Sequence, residues 1–115
     1  MNSYLEELFV DMLNKHYPNL EYAREYEDIR IQNRIGKKVR YDFYFPKFDL
    51  IIEIDGIQHY KACRSSTELR EIMRMDNKKE MIAKNYGYKF GRIRSIHKNN
   101  FLHMFEKILK KVTEK

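Results

Sequence analysis

A chain of 115 residues has the length of one domain built on a single core and is too short for two. Hydrophobic residues make up 43%, enough for a packed interior, and the net charge of +6 favours a polyanionic partner, nucleic acid ahead of a membrane surface because no amphipathic anchor is evident. The one cysteine, Cys63, excludes an internal disulfide and an all-cysteine zinc site.

No stretch reaches transmembrane length, and the N-terminal region carries Glu6, Glu7 and Asp11 where a signal peptide has basic and apolar runs. The expected setting is therefore cytoplasmic, away from membranes.

In chain order, Ser3-Tyr-Leu-Glu6 has the form of a capping box, and Leu5, Leu8, Phe9, Met12 and Leu13 follow at the spacing of one apolar helical stripe that Pro18 ends. Residues 21–34, with Tyr22, Tyr26, Ile29 and Ile31 among charges, suggest a strand, and residues 35–38 look like a turn. Arg40 to Phe45 alternates and is rich in aromatics, Pro46 to Asp49 supplies turn residues, and Leu50 to Asp55 is a β-branched run stopped by Gly56, so these segments predict a hairpin. A second helix is expected from near Thr67 to a Gly87 cap, with a kink or a groove-facing polar turn around Asp76 to Glu80. Tyr88 to Ser95 reads as a fourth strand, and Asn99 or Asn100 opens a last helix with the apolar face Phe101, Phe105, Ile108, Leu109 and Val112. The expected class is α/β: an α+β mixed sheet in one domain over residues 1–115, in the order αβββαβ plus a C-terminal helix.

The hairpin carries the chemistry. Alternation places Tyr41, Phe43 and Phe45 on one face of the first strand, and Leu50, Ile52 and Ile54 on one face of the second. If these sets share a core, Asp42, Glu53 and Asp55 are left together on the opposite face. Carboxylates that close raise one another's pKa, and a hard divalent ion such as Mg2+ relieves the conflict while leaving coordination positions for phosphate oxygens.

This pattern resembles the core of the PD-(D/E)xK nuclease superfamily, restriction-endonuclease-like in fold, whose members cut DNA or RNA with a divalent metal. Tyr41-Asp42 stands where the family has Pro-Asp, and Glu53-Ile-Asp55 where it has Glu-x-Lys. Asp55 in place of the lysine, with Asp42-Phe43 and Asp55-Gly-Ile-Gln-His59, is more similar to the very-short-patch repair endonuclease-like branch, including the EDxHD homing endonucleases. That branch carries a glutamate on its first helix and an aspartate on its second, for which Glu6 (with Glu7 as its alternate) and Asp76 are the counterparts.

The resemblance implies an endonuclease that hydrolyses DNA with Mg2+ or Mn2+, of a kind frequent in phages and mobile elements. Asp42 would bind the metal, helped by the Ile54 carbonyl or the Glu53 carboxylate. His59 would act beside it, with Asp55 orienting His59 or a water and Glu6 positioning a further water. Arg40, Lys61 and Lys79 would face nucleic acid, Lys61 or Lys79 offsetting the charge that the family's lysine normally meets. A single small protomer suggests nicking unless a homodimer forms or a larger protein partner takes part.

The same residues also admit structural readings. The hairpin acids suit a solvated sheet face, Glu6 suits a capping box, and Asp76 suits an ion pair with Lys79 one turn on. A silent nucleic-acid-binding or partner-binding module on the same scaffold is the rival from another class, and a nuclease selective for branched or mismatched DNA is the rival among enzymes.

Overall fold

The apolar stripe of the first segment forms helix α1 (Tyr4–His16), which buries Phe9, Met12 and Leu13. The chain then makes three strands, β1 (Ala23–Gln32), β2 (Lys38–Phe45) and β3 (Leu50–Asp55), the last two joined by a 3-10 turn at Pro46–Phe48. Helix α2 (Ser66–Asn85), strand β4 (Lys89–Arg94) and helix α3 (Phe101–Thr113) complete the order. This computed structural model describes residues 4–32, 35–55, 65–94 and 100–114.

The architecture is an α+β fold, a four-stranded mixed sheet with three helices, in the expected order of elements. Sheet order is β1-β2-β3-β4; the first three strands are antiparallel and β4 lies parallel to β3. A parallel neighbour needs a crossover, and α2 supplies it.

Local signals explain the boundaries. Ser65 caps α2, its hydroxyl accepting the Glu68 N–H at 3.1 Å, and Gly87 (φ 93°) lets the chain leave the helix in the left-handed region. Between these ends α2 runs unbroken for 20 residues, so its polar turn does not interrupt the helix. Asn100 caps α3 by position only, without a side-chain hydrogen bond.

The two faces of the sheet carry separate cores. On one, α1 and α3 pack Phe9, Leu13, Phe101 and Phe105 against Phe43, Phe45, Leu50 and Ile52. On the other, Ala83 and Ile82 of α2 pack with Ile31, Tyr41, Ile51 and Tyr88. The face of the hairpin acids is therefore covered by a helix.

One feature departs from simple alternation. Tyr41 packs with Ile51 in the α2 core, whereas Phe43 and Phe45 lie in the α1/α3 core. Just before β1, Tyr22 packs against Phe43 and Phe45, yet Tyr26 on the strand stacks on Tyr44 in the α2 layer. Both reversals fall between the paired positions Arg24↔Phe43 and Tyr26↔Tyr41, with Glu25 in the left-handed region (φ 50°). The two strands thus switch faces together, and Asp42 sits at the switch. Because Glu25 is exposed and pays the steric penalty of that backbone, Glu25→Gly is expected to stabilise the fold by about 0.5–1 kcal/mol, seen as a higher urea midpoint at unchanged slope. An unchanged or lower midpoint would contradict it.

Candidate active site

Strands β2 and β3 pair as far as Phe43↔Ile52. At the next step, carboxylates take over from the backbone ladder. The Ile54 N–H donates to Asp42 Oδ2 at 2.8 Å, and the Asp42 N–H donates to Glu53 Oε2 at 3.2 Å. Each acid thus ties itself to the opposite strand, and the two carboxylates come together where the strands part.

Their environment is strained electrostatically. Burial, a hydrogen bond to Glu53 and the Glu53 charge together push the Asp42 carboxyl up to about 7, against the opposing pull of the Ile54 N–H and Lys79. Asp28 makes an informative contrast. It is more deeply buried than the half-buried Asp42, but bonds to Arg30 (2.6–3.2 Å) and the Tyr88 hydroxyl (2.5 Å) hold its carboxyl far below the usual range. Asp28 is a satisfied structural acid, while Asp42 is held where a second positive partner would be favourable.

Helix α2 brings a cation to these acids. Lys79 Nζ forms an ion pair with Glu53 Oε1, donates to the Arg40 carbonyl at 2.7 Å and lies 5.0 Å from the centre of the Tyr41 ring. The Tyr41 hydroxyl returns a hydrogen bond to the Lys79 carbonyl at 2.8 Å, so strand and helix clasp each other. One helical turn earlier, Asp76 approaches Arg92 of β4. The Arg92 guanidinium lies 3.1 Å from Asp55 and 3.9 Å from Asp76, and also donates to the Asp76 carbonyl at 3.1 Å.

The expected acids are accordingly divided. Asp42 and Glu53 meet each other and Lys79, whereas Asp55 and Asp76 share Arg92. The sequence pairing of Asp76 with Lys79 is replaced by these cross-element contacts. Glu6 is buried on the α1 stripe that includes Phe9 and Leu13, while Glu7 is exposed and paired with Arg24 at 2.7 Å, so Glu6 is the inward member of the two. Arg40 is largely exposed and makes a loose 3.4 Å pair with Glu27. His59 and Lys61 lie outside the described residues, as does Ser3 of the capping box.

Arg92 was not among the candidates, although a signal existed. Alternation along β4 sets it with Tyr88 and Phe90, and in the fold that face meets α2 and the acids. What the sequence lacks is the register: β4 beside β3 pairs Glu53 with Arg92 and Asp55 with Arg94.

Among the described residues, no three His, Cys, Asp or Glu side chains gather closely enough to cage an ion. No helix in the described residues is long and apolar enough to cross a membrane. Compared with known protein families, curated proteins and solved structures, the chain matches none.

Proposed function

We propose that this chain is a metal-dependent endonuclease hydrolysing DNA phosphodiester bonds, on a restriction-endonuclease-like core of the PD-(D/E)xK kind. The observation that carries the reading is the Asp42–Glu53 pair at the parting of β2 and β3, with the Asp42 carboxyl pushed up to about 7, so that added positive charge would favour its ionised form. Oxygen donors of this type fit a hard divalent ion, and Asp42, Glu53 and the Ile54 carbonyl are the groups that would hold Mg2+ or Mn2+. Such an ion, when bound, supplies Lewis acidity towards a phosphoryl oxygen.

The protein's own groups do the remaining work. Lys79, already held between Glu53 and the Arg40 carbonyl, is the cation that meets phosphate charge in place of the family lysine. Arg92 fixes Asp55 and Asp76 from below, keeping the β3 end and α2 in register. His59, four residues after Asp55, is assigned the proton transfer from water, a task its chemistry suits near neutral pH. Glu6 is assigned to orient a water.

Relaxation of supercoiled plasmid tests the assignment. Nicking is expected with Mg2+ or Mn2+ and none with a chelator. Glu53→Gln, which keeps an acceptor for the Asp42 N–H but loses the charge, is expected to lower the rate by at least about 100-fold. Full activity in that variant, or an inert wild-type protein with both metals, would overturn the reading.

A second reading is favoured by one specific observation: Glu53, Asp55 and Asp76 each already have a cationic partner, Lys79 for Glu53 and Arg92 shared by the two aspartates. A silent DNA-binding module would need no more. Its mark is salt-sensitive DNA binding that neither chelator nor loss of Asp42 alters.

A further inference from the structure

A groove of about 710 Å³ runs between the end of the β1–β2 hairpin and α2, and it reaches the candidate site at Lys79. Four cations line it, Lys38, Arg40, Lys78 and Lys79. Four apolar side chains line it as well, Ile35, Val39, Met75 and Ile82. Two of these, Ile35 and Met75, are 75% and 64% exposed, so apolar surface is presented to water beside positive charge.

We propose that this groove holds an unpaired nucleotide of the substrate strand, making single-stranded or locally unpaired DNA the preferred substrate. The inference rests on the nuclease reading for its substrate, and it adds the strand state that reading leaves open.

The argument is one of complementary chemistry. A regular duplex offers phosphates to the lining cations and base edges in its grooves, but its base faces are covered by stacking, so none can lie against Ile35 and Met75. An unpaired nucleotide offers both at once: an anionic backbone for the lysines and a flat apolar base face for Ile35 and Met75. The volume lies within the range of about 300–1,000 Å³ that encloses small organic ligands, which suits a nucleotide. Methionine adapts its shape to whichever base arrives, so the apolar lining would select for an unpaired base without selecting its identity. The pair of the lining residue Arg40 with Glu27 is loose and Arg40 largely exposed, so exchanging it for a phosphate costs little. A strand seated here passes Lys79 and hence the Asp42–Glu53 pair.

Fluorescence anisotropy with the full chain in chelator separates binding from cutting. The probes are a labelled thymidine oligonucleotide, a blunt duplex of equal length, and the same duplex with a central unpaired loop. The oligonucleotide and the looped duplex are expected to bind at least about 10-fold tighter than the blunt duplex, the scale set by a stacked or buried base. Lys38→Ala and Lys78→Ala, both at exposed positions, are each expected to reduce the slope of log K against log salt by about 0.7 for the single strand. The double variant Ile35→Ser with Met75→Ser is expected to abolish the preference while leaving duplex binding and the circular dichroism spectrum unchanged.

Equal affinity of the wild type for oligonucleotide and blunt duplex overturns the proposal, as does a preference that survives loss of Ile35 and Met75. Displacement of the oligonucleotide by polyglutamate at equal charge concentration would reassign the groove to an acidic protein segment. The two readings fail separately: a preference for unpaired strands without nicking in Mn2+ sinks the nuclease and keeps the groove, whereas nicking without that preference does the reverse.

Discussion

Replacing Asp42 by asparagine is expected to remove strand nicking, by about 100- to 10,000-fold, and at the same time to make the metal-free protein harder to unfold above neutral pH. The two effects share a cause. Asparagine keeps an oxygen for the Ile54 N–H and gains N–H donors for Glu53, so it imitates the protonated acid and relieves the repulsion between Asp42 and Glu53. It also removes the negative charge on which cation binding depends.

The pH dependence follows from the direction of the shift. Asp42 ionises at about 7 when folded, raised chiefly by burial, but near ~4 in an unfolded chain. A raised folded value means that the native state holds the proton more tightly. That contribution to stability is complete below about pH 4 and is lost as pH climbs through about 7. The melting temperature of Asp42→Asn relative to wild type should therefore rise across this window and level off above it, with an advantage on the order of 5 °C. Mn2+ should recover the wild type at pH 8 and leave the variant unaffected. Parallel melting profiles, or wild-type nicking by the variant, would refute the assignment.

The second large effect is structural. Phe9→Ala is expected to cost about 3–5 kcal/mol, a substantial part of the 5–15 kcal/mol that holds a typical domain folded. Phe9 is fully buried, and its ring meets four others edge-on: Phe43 at 4.8 Å, Phe105 at 5.6 Å, Phe101 at 6.0 Å and Phe45 at 6.5 Å. Removing it opens a cavity bounded by α1, α3 and β2 at once, so no single neighbour can collapse to fill it. Phe9→Leu retains most of the volume and should cost roughly half as much. Urea unfolding followed by far-UV circular dichroism measures both, and a loss under about 1 kcal/mol for the alanine variant would show that the aromatic cluster contributes little.

Phe9 also illustrates what the sequence discloses well. Its place on the α1 stripe, the hairpin around Pro46–Phe48, the Gly87 stop and the apolar face of α3 all depend on neighbours within a few residues, and each is found where its spacing puts it. The proximity of Asp42 and Glu53 was legible too, because a short turn fixes the hairpin register.

What was not legible depends on long-range geometry or on backbone angles that side-chain pattern cannot encode. Alternation assigned Tyr41 to the layer of Phe43 and Phe45; the coordinated switch at Glu25 and Asp42 moves it to the other layer, where it bonds Lys79. Nothing in Arg24-Glu-Tyr26 announces a left-handed residue. Likewise, the polar turn of α2 looked like a kink or a solvated face, because the acid that Lys79 pairs with lies on β3 and the arginine that joins Asp76 to Asp55 comes from β4.

Helix α2 buries only Ala83, and its middle is fastened through Lys79–Glu53, Tyr41–Lys79 and Arg92–Asp76. These pairs are largely shielded from water, so salt screens them little and competition for their members is what disturbs them. Any ligand that competes for Glu53 or for Lys79 therefore also loosens or re-seats the crossover helix, so occupancy of the acids and the docking of α2 are thermodynamically linked.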